Sequence, residues 1–263
     1  MRHRKHIIGV IHLLPLPGTP RAIYTFQEVV ERAVRDAQAL KSGGVQMAIV
    51  ENFGDAPFVR DSVEPHIVSM MTVIAVEIRA LGIELGINVL RNDARSALAI
   101  AAAVGAKLVR INVHTGAAWT DQGLIQGDAY QTLLYKKRLA VDIAIAADVM
   151  VKHATPAGTR SLLDAAKDTL YRGNVDHIIL TGTATGSTVD IEDLKQLRER
   201  LPVASIWIGS GLSLDNVCQA MAFADGGIVG TYFHEDGDLH KPVDANRVRA
   251  LIDVLDPNRL NQE

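Results

Sequence analysis

The stretch "WIGSGLSLDN" (207–216) ends an apolar run at Gly209-Ser210-Gly211 and continues into residues that start helices, and "GGIVGTYF" (226–233) nearly repeats it. A strand, a glycine turn and a helix start make half of a βα unit. Glycine there leaves backbone N–H groups uncovered, an arrangement suited to an anion. Working outward, short runs rich in Ile and Val alternate with longer amphipathic stretches along the whole chain, the pattern of repeated βα units with a parallel sheet. Eight runs read as strands: 7–12, 45–51, 83–89, 107–113, 146–153, 175–182, 204–209 and 226–230. The intervening "TFQEVVERAVRDAQALKSGG" (25–44) reads as a helix: Thr25 caps, Glu28 completes a capping box, apolar residues recur at helical spacing, and Gly43 and Gly44 stop it. Eight units in 263 residues predict an α/β chain closed into a single (β/α)8 TIM barrel domain over residues 1–263, with an open doubly wound sheet as the alternative.

Composition narrows the partners. Hydrophobic residues are 48% and charged residues 22%, enough for a large core. The net charge is −3 and the one basic cluster, Arg2 to His6, precedes the first strand, which argues against nucleic acid. The single cysteine, Cys218, has no intramolecular disulfide partner and sits in "VCQAMAF" (217–223), where it is expected to be a small core residue. No apolar run reaches the roughly 18–20 residues of a membrane span, and the N-terminus lacks a signal peptide's apolar region. The expectation is a cytoplasmic protein with no integral membrane segment, and a homo-oligomer because closed symmetric assemblies are common.

Strand alternation locates the polar groups. In "IELGINV" (83–89), Ile83, Leu85, Ile87 and Val89 share the face expected to meet the helices, which sends Glu84, Gly86 and Asn88 inward. The next strand sends Arg110, Asn112 and His114 inward, and the fifth sends Asp148, Met150 and Lys152. Buried Glu84, Arg110, Asp148 and Lys152 require pairing or a function. One reading makes Glu84, Arg110 and Asp148 a structural ion network. Barrel active sites lie at the C-terminal ends of strands, where this sequence places His12, Glu51, Asn52, Asn88, Asn112, Lys152, His153 and Thr181. Gly209, Ser210, Gly211, Gly230 and Thr231 follow the seventh and eighth strands, where barrels often hold a phosphate. GxxxxGK[ST], HExxH and CxxC are absent and no metal-ligand spacing stands out, so neither metal nor cofactor is expected.

These positions define a leading expectation, an enzyme acting on a small phosphorylated sugar, or on a nucleoside or nucleotide carrying one. The reactive carbon would lie near Lys152, an ammonium that binds an oxyanion in preference to a Schiff-base amine, because Asp148 on the same face favours its charged form. Glu51 or Asp148 would be the general acid/base, with His153 or His12 as a second proton carrier. Asn88, Asn112, Asp121 and Thr181 would hold substrate. Isomerase, lyase and glycosidic cleavage are all compatible. The loop "HTGAAWTDQGLIQGD" (114–128) carries Trp119, either to cover a ring or sugar face or to plug the loop down.

The motifs "GVIHLLPLPGTP" (9–20), "VENFGDAPF" (50–58), "WTDQGLIQGDAYQTLLYKKRL" (119–139), "ADVMVKHATP" (147–156), "TGTATGSTVDIEDL" (181–194) and "IGSGLSLDN" (208–216) are spread along most of the chain. In these the sequence resembles the BtpA/SgcQ family, known for a photosystem I biogenesis protein and for relatives in sugar-utilisation operons. The resemblance implies a (β/α)8 barrel related to phosphate-binding barrels. Gln126 stands where an acidic residue is expected and Ala157 where a large apolar one is, and the first weakens the 114–128 loop as a source of an acid or base. The resemblance also suggests a second class of function, a non-catalytic assembly factor associating with a membrane surface through a protein partner.

Overall fold

A strand with apolar side chains on the face away from the barrel axis can bury them only under a ring of helices. The computed structural model, which describes residues 5–150, 154–158, 161–182 and 188–255, has this arrangement. Parallel strands β1 (His6–His12), β2 (Met47–Glu51), β3 (Glu84–Asn88), β4 (Leu108–Ile111), β7 (Ala144–Met150), β9 (His177–Leu180), β10 (Ile206–Ile208) and β11 (Gly226–Val229) close into a barrel in that order. The remaining strands, β5 (Ala117–Thr120), β6 (Gly123–Gln126) and β8 (Thr155–Pro156), form a small antiparallel sheet above the barrel's C-terminal end, where 114–128 was expected to be an irregular loop. The closed order excludes the open-sheet alternative.

The helices follow the capping grammar of the sequence. Helix α1 (Phe26–Gly43) begins with the Thr25–Glu28 capping box, and Gly44 ends it at φ 104°, a left-handed conformation suited to glycine. Its stripe Val29, Ala33, Ala37 and Leu40 is fully or almost fully buried against the barrel. Helices α2 (Pro65–Ala80), α3 (Ala94–Val104), α4 (Ala129–Leu139), α5 (Leu162–Lys167), α6 (Ile191–Arg200), α7 (Val217–Ala220) and α8 (Ala245–Leu255) complete the ring. Cys218 is exposed, contrary to expectation. The four residues of α7 bury only Val217 and Ala220, so the apolar run around the cysteine does not carry it into the core. Among the described residues no helix is long and apolar enough to cross a membrane.

Inside the barrel, Ile8, Val10, Ile49, Leu108, Ala146, Ile179, Trp207 and Ile228 form a separate apolar cluster, a plug across the axis. Glu84 lies on the inward parity but at the exposed N-terminal end, where it lines a cavity with Met47 and Lys107. It therefore needs no buried partner, and the expected three-residue network loses that member.

Candidate active site

Alternation fixes what stands above the plug, because the residue two positions beyond a plug side chain points inward one level higher. Val10 leads to His12, Ile49 to Glu51, Leu108 to Arg110, Ala146 to Asp148 and Ile179 to Thr181. His12 pairs in register with Glu51, and Glu51 with Asn88, so these three begin on one level.

Across β3, β4 and β7 the polar groups join. Arg110 donates to Asp148 through Nε at 3.3 Å and Nη2 at 3.1 Å, and Asn112 Nδ2 donates to the same carboxylate at 3.0 Å. Asn88 Nδ2 donates to Asn112 Oδ1 and to the Arg110 carbonyl, both at 3.1 Å. All four residues are buried, and Asn88 Oδ1 has no hydrogen-bond partner among the described residues. Burial would depress the Arg110 guanidinium, but the charges of Asp148 and Glu51 outweigh it and hold Arg110 above its ordinary pKa. A second buried guanidinium, Arg91, is lowered by burial, which the carboxylates of Asp148, Glu51 and Asp121 oppose only in part.

His12 is held from behind. His234 is fully buried, and its Nδ1 lies 2.7 Å from the Lys241 carbonyl while its Nε2 lies 3.2 Å from His12 Nδ1. A carbonyl only accepts, so His234 Nδ1 carries a hydrogen. Burial lowers the His234 pKa and keeps the ring neutral, so its Nε2 accepts and His12 Nδ1 donates. The Cε1–Nε2 edge of His12 lies against Gly230, where a Cβ would stand 2.6 Å from Cε1 and 3.1 Å from Nε2, so only glycine leaves the ring this space.

The glycine turns line a cavity of about 270 Å³, together with Ser210, Thr231 and Arg247. Gly209 N–H is used in the barrel, donating to Leu180 O at 2.7 Å, and its missing side chain leaves room for Thr181 and Arg110. The N–H groups of Ser210, Gly211 and Thr231 make no such bond among the described residues. Ser210 is buried and its hydroxyl has no partner there. The helix start expected directly after Gly211 does not exist: α7 begins only at Val217, because Ser213 and Asn216 close a turn through Ser213 N–H and Asn216 Oδ1 at 3.0 Å. Anion-binding capacity here rests on loop N–H groups, Ser210 and Arg247, whose Nε is fixed on Tyr232 O at 2.7 Å.

A larger cavity of about 550 Å³ adjoins it, and the two share His12, Glu51 and Arg110. Its apolar wall comes from the loops after β1, β2 and β3, which are tied together. Asp55 accepts from Leu16 N–H at 2.8 Å and from Asn52 Nδ2 at 3.0 Å, while Asn52 Oδ1 accepts from Leu90 N–H at 2.7 Å. Asn52 is thus a loop tie. Asn112 and Asp121 line this cavity. Trp119 does not: it lies in the β5–β6 hairpin with 56% of its surface exposed, so it is not the plug that one reading expected. His114 does not join the axial polar groups either, since the chain leaves strand geometry after Ile111. Its Nε2 lies 2.9 Å from Gly173 O, in the segment after α5. Lys152 and His153 lie outside the described residues. Sequence reasoning missed Arg91 and His234, which follow strand ends where alternation no longer applies, and Arg247, which stands in the first turn of α8. The signal for His234 was its place in "TYFHEDG" (231–237), directly after the last strand. Among the described residues no group of three His, Cys, Asp or Glu side chains is placed to hold a metal.

The fold is shared with solved enzymes of low sequence identity. Phosphoribosyl anthranilate isomerase from Thermus thermophilus superposes with a TM-score of 0.59 at 10% identity, covering 97% of this chain and 100% of that one. KGPDC from Streptococcus mutans, solved in complex with D-ribose 5-phosphate, gives 0.62 at 10% identity, covering 96% and 98%. In sequence, the photosystem I biogenesis protein BtpA of Synechocystis is 48% identical over 250 residues, 95% of this chain and 87% of the relative. An uncharacterized protein of Thermococcus kodakarensis is 42% identical over 95% of both chains. The model of the BtpA family matches residues 3–256, and with these relatives it establishes that the chain belongs to the BtpA family.

Proposed function

We propose that the chain is an enzyme acting on a small phosphorylated sugar, or on a nucleoside or nucleotide carrying one. The phosphate lies in the cavity of Gly209, Ser210, Gly211, Gly230 and Thr231, and the reacting carbon faces His12 and Glu51. The observation that carries this reading is the Ser210 hydroxyl, buried without a partner among the described residues in a glycine-walled cavity that also presents Arg247. A phosphate supplies the acceptors that such a hydroxyl and the neighbouring N–H groups need. His12, with its tautomer set by His234, is the proton carrier, and Glu51 at the junction of the two cavities is the general acid/base. Asp148 is bound on both oxygens by Arg110 and Asn112 and serves to hold them. The ribose 5-phosphate bound to KGPDC on the same fold supports a phosphorylated ligand.

The test is thermal stabilisation by sugar phosphates against their unphosphorylated parents. A ligand at a hundred times its Kd stabilises by about 2.7 kcal/mol, several degrees in Tm. Gly211 stands at φ 76°, where valine is strained for reasons unrelated to ligand, so Ser210 is the residue to change. Ser210→Asp places a carboxylate against the phosphate and abolishes the shift. A broad panel without any shift, or equal shifts in Ser210→Asp, refutes the reading. The relative named as a photosystem I biogenesis protein favours a second reading, an assembly factor acting through a protein partner. That reading predicts co-purification of a membrane protein complex and no response to sugar phosphates.

A further inference from the structure

The phosphate cavity takes up only the smaller part of the mouth. Beyond the shared wall of His12, Glu51 and Arg110, the larger cavity is lined by Leu14, Phe53, Phe58 and Leu90, with Ile23 and Tyr24 on its rim. A plain sugar phosphate carries a hydroxyl on nearly every carbon. Hydroxyls pushed against Leu14, Phe58 and Leu90 would lose water and gain no partner, which disfavours that placement. A bare phosphosugar therefore fills the 270 Å³ cavity and the junction and leaves the 550 Å³ space unused. An apolar space of that size suits a flat ring, which buries large area and packs on aromatic side chains. The rim agrees, since Ile23 is 81% exposed and Tyr24 stands beside it, apolar surface that a bound ring would shield. The lining is not wholly apolar: Asn112, Asp121 and Arg91 also face the space and restrict the ring. Arg91, 5% exposed, sets a guanidinium in the wall beside Arg110, and a planar donor of this kind matches a carbonyl or carboxylate oxygen on the ring's edge. The loop ties through Asn52 and Asp55 hold the space in shape, so little ordering opposes binding.

We infer that the ligand is a phosphorylated sugar bearing a flat aromatic or heteroaromatic group with oxygen acceptors, the ring lying on the Phe58–Leu90 side and the sugar spanning the His12–Glu51–Arg110 junction. This rests on the phosphate reading above and narrows it to a substrate class.

Calorimetric titration of the full chain with inorganic phosphate, ribose 5-phosphate and the purine and pyrimidine nucleoside 5′-monophosphates tests it. At least one nucleoside monophosphate is expected to bind about tenfold or more tighter than ribose 5-phosphate. Phe58→Ala removes that gain while leaving the ribose 5-phosphate Kd within about twofold, and Ser210→Asp weakens every phosphorylated ligand. Leu14→Ala, at a half-buried wall position, serves if Phe58→Ala does not fold. Nucleoside monophosphates no tighter than ribose 5-phosphate, or wall variants that weaken both alike, overturn the inference and leave the phosphate reading intact. Absence of binding by ribose 5-phosphate and phosphate overturns the phosphate reading itself.

Discussion

Removing the carboxylate of Asp148 is the most discriminating perturbation of the polar level above the plug. Asp148 accepts from Arg110 Nε, Arg110 Nη2 and Asn112 Nδ2, and the side chains of the pair are 2% and 0% exposed. Asp148→Ala leaves the Arg110 guanidinium buried with Glu51 as its remaining counter-charge. Breaking a buried pair from one side costs about 3–5 kcal/mol. At about 2–4 °C per kcal/mol for a chain of this size, the melting temperature falls on the order of 10 °C. The double variant Arg110→Met with Asp148→Leu exchanges the pair for apolar groups of similar volume and recovers most of the loss, because both desolvation costs vanish together. Urea titrations of wild type, Arg110→Met, Asp148→Leu and the double variant form a cycle whose coupling energy is several kcal/mol. An Asp148→Ala protein within about 1 kcal/mol of wild type, or a double variant as unstable as the sum of the singles, would refute the assignment of Asp148 as the counter-charge that holds Arg110.

Three further outcomes follow from the geometry. His114, His177 and His234 are each lowered in pKa by burial, so below about pH 6.5 the unfolded chain takes up protons first and stability falls as pH falls, levelling off once the folded-state values are passed. In melting curves from about pH 8 to about pH 5, His234→Gln should have a shallower slope than wild type, and an unchanged slope contradicts the neutral, buried ring. Thr25→Ala removes the side-chain acceptor of the α1 capping box and should cost about 1 kcal/mol in chemical denaturation, with no loss expected if the cap is energetically idle. Gly54→Ala places a Cβ 2.4 Å from Pro15 N and 2.6 Å from the Leu14 carbonyl carbon, so the two loops must part. It should lose about 1–3 kcal/mol and weaken ring-bearing ligands more than ribose 5-phosphate, and wild-type stability would show that the loops yield freely.

Strand alternation made the barrel legible because each strand has two faces and only one arrangement buries the apolar one. It placed Asn88, Arg110, Asn112 and Asp148 on a common axis from spacing alone. Where a strand ends, alternation carries no information, and the errors cluster there. His114 was assigned inward by continuing the alternation past Ile111, where β4 ends, and Arg91 and His234 were not assigned at all because loop paths set their positions. Cys218 failed for a related reason: an apolar run predicts burial only when its element is long enough to show a face, and α7 has four residues. The glycine turns were legible as a pair of strand ends, but the left-handed Gly211 and the late start of α7 depend on local turn bonding that the motif does not specify.

The plug of Ile8, Val10, Ile49, Leu108, Ala146, Ile179, Trp207 and Ile228 turns the barrel into a cup instead of a pipe. Nothing bound above it can leave through the bottom, so arrival and departure share one rim. A molecule at the His12–Glu51–Arg110 junction must clear that opening before the next can take its place. Under the proposed activity, a product that keeps the phosphate occupies the seat of the incoming substrate and inhibits competitively, with traffic through the mouth setting how fast the cup empties and refills.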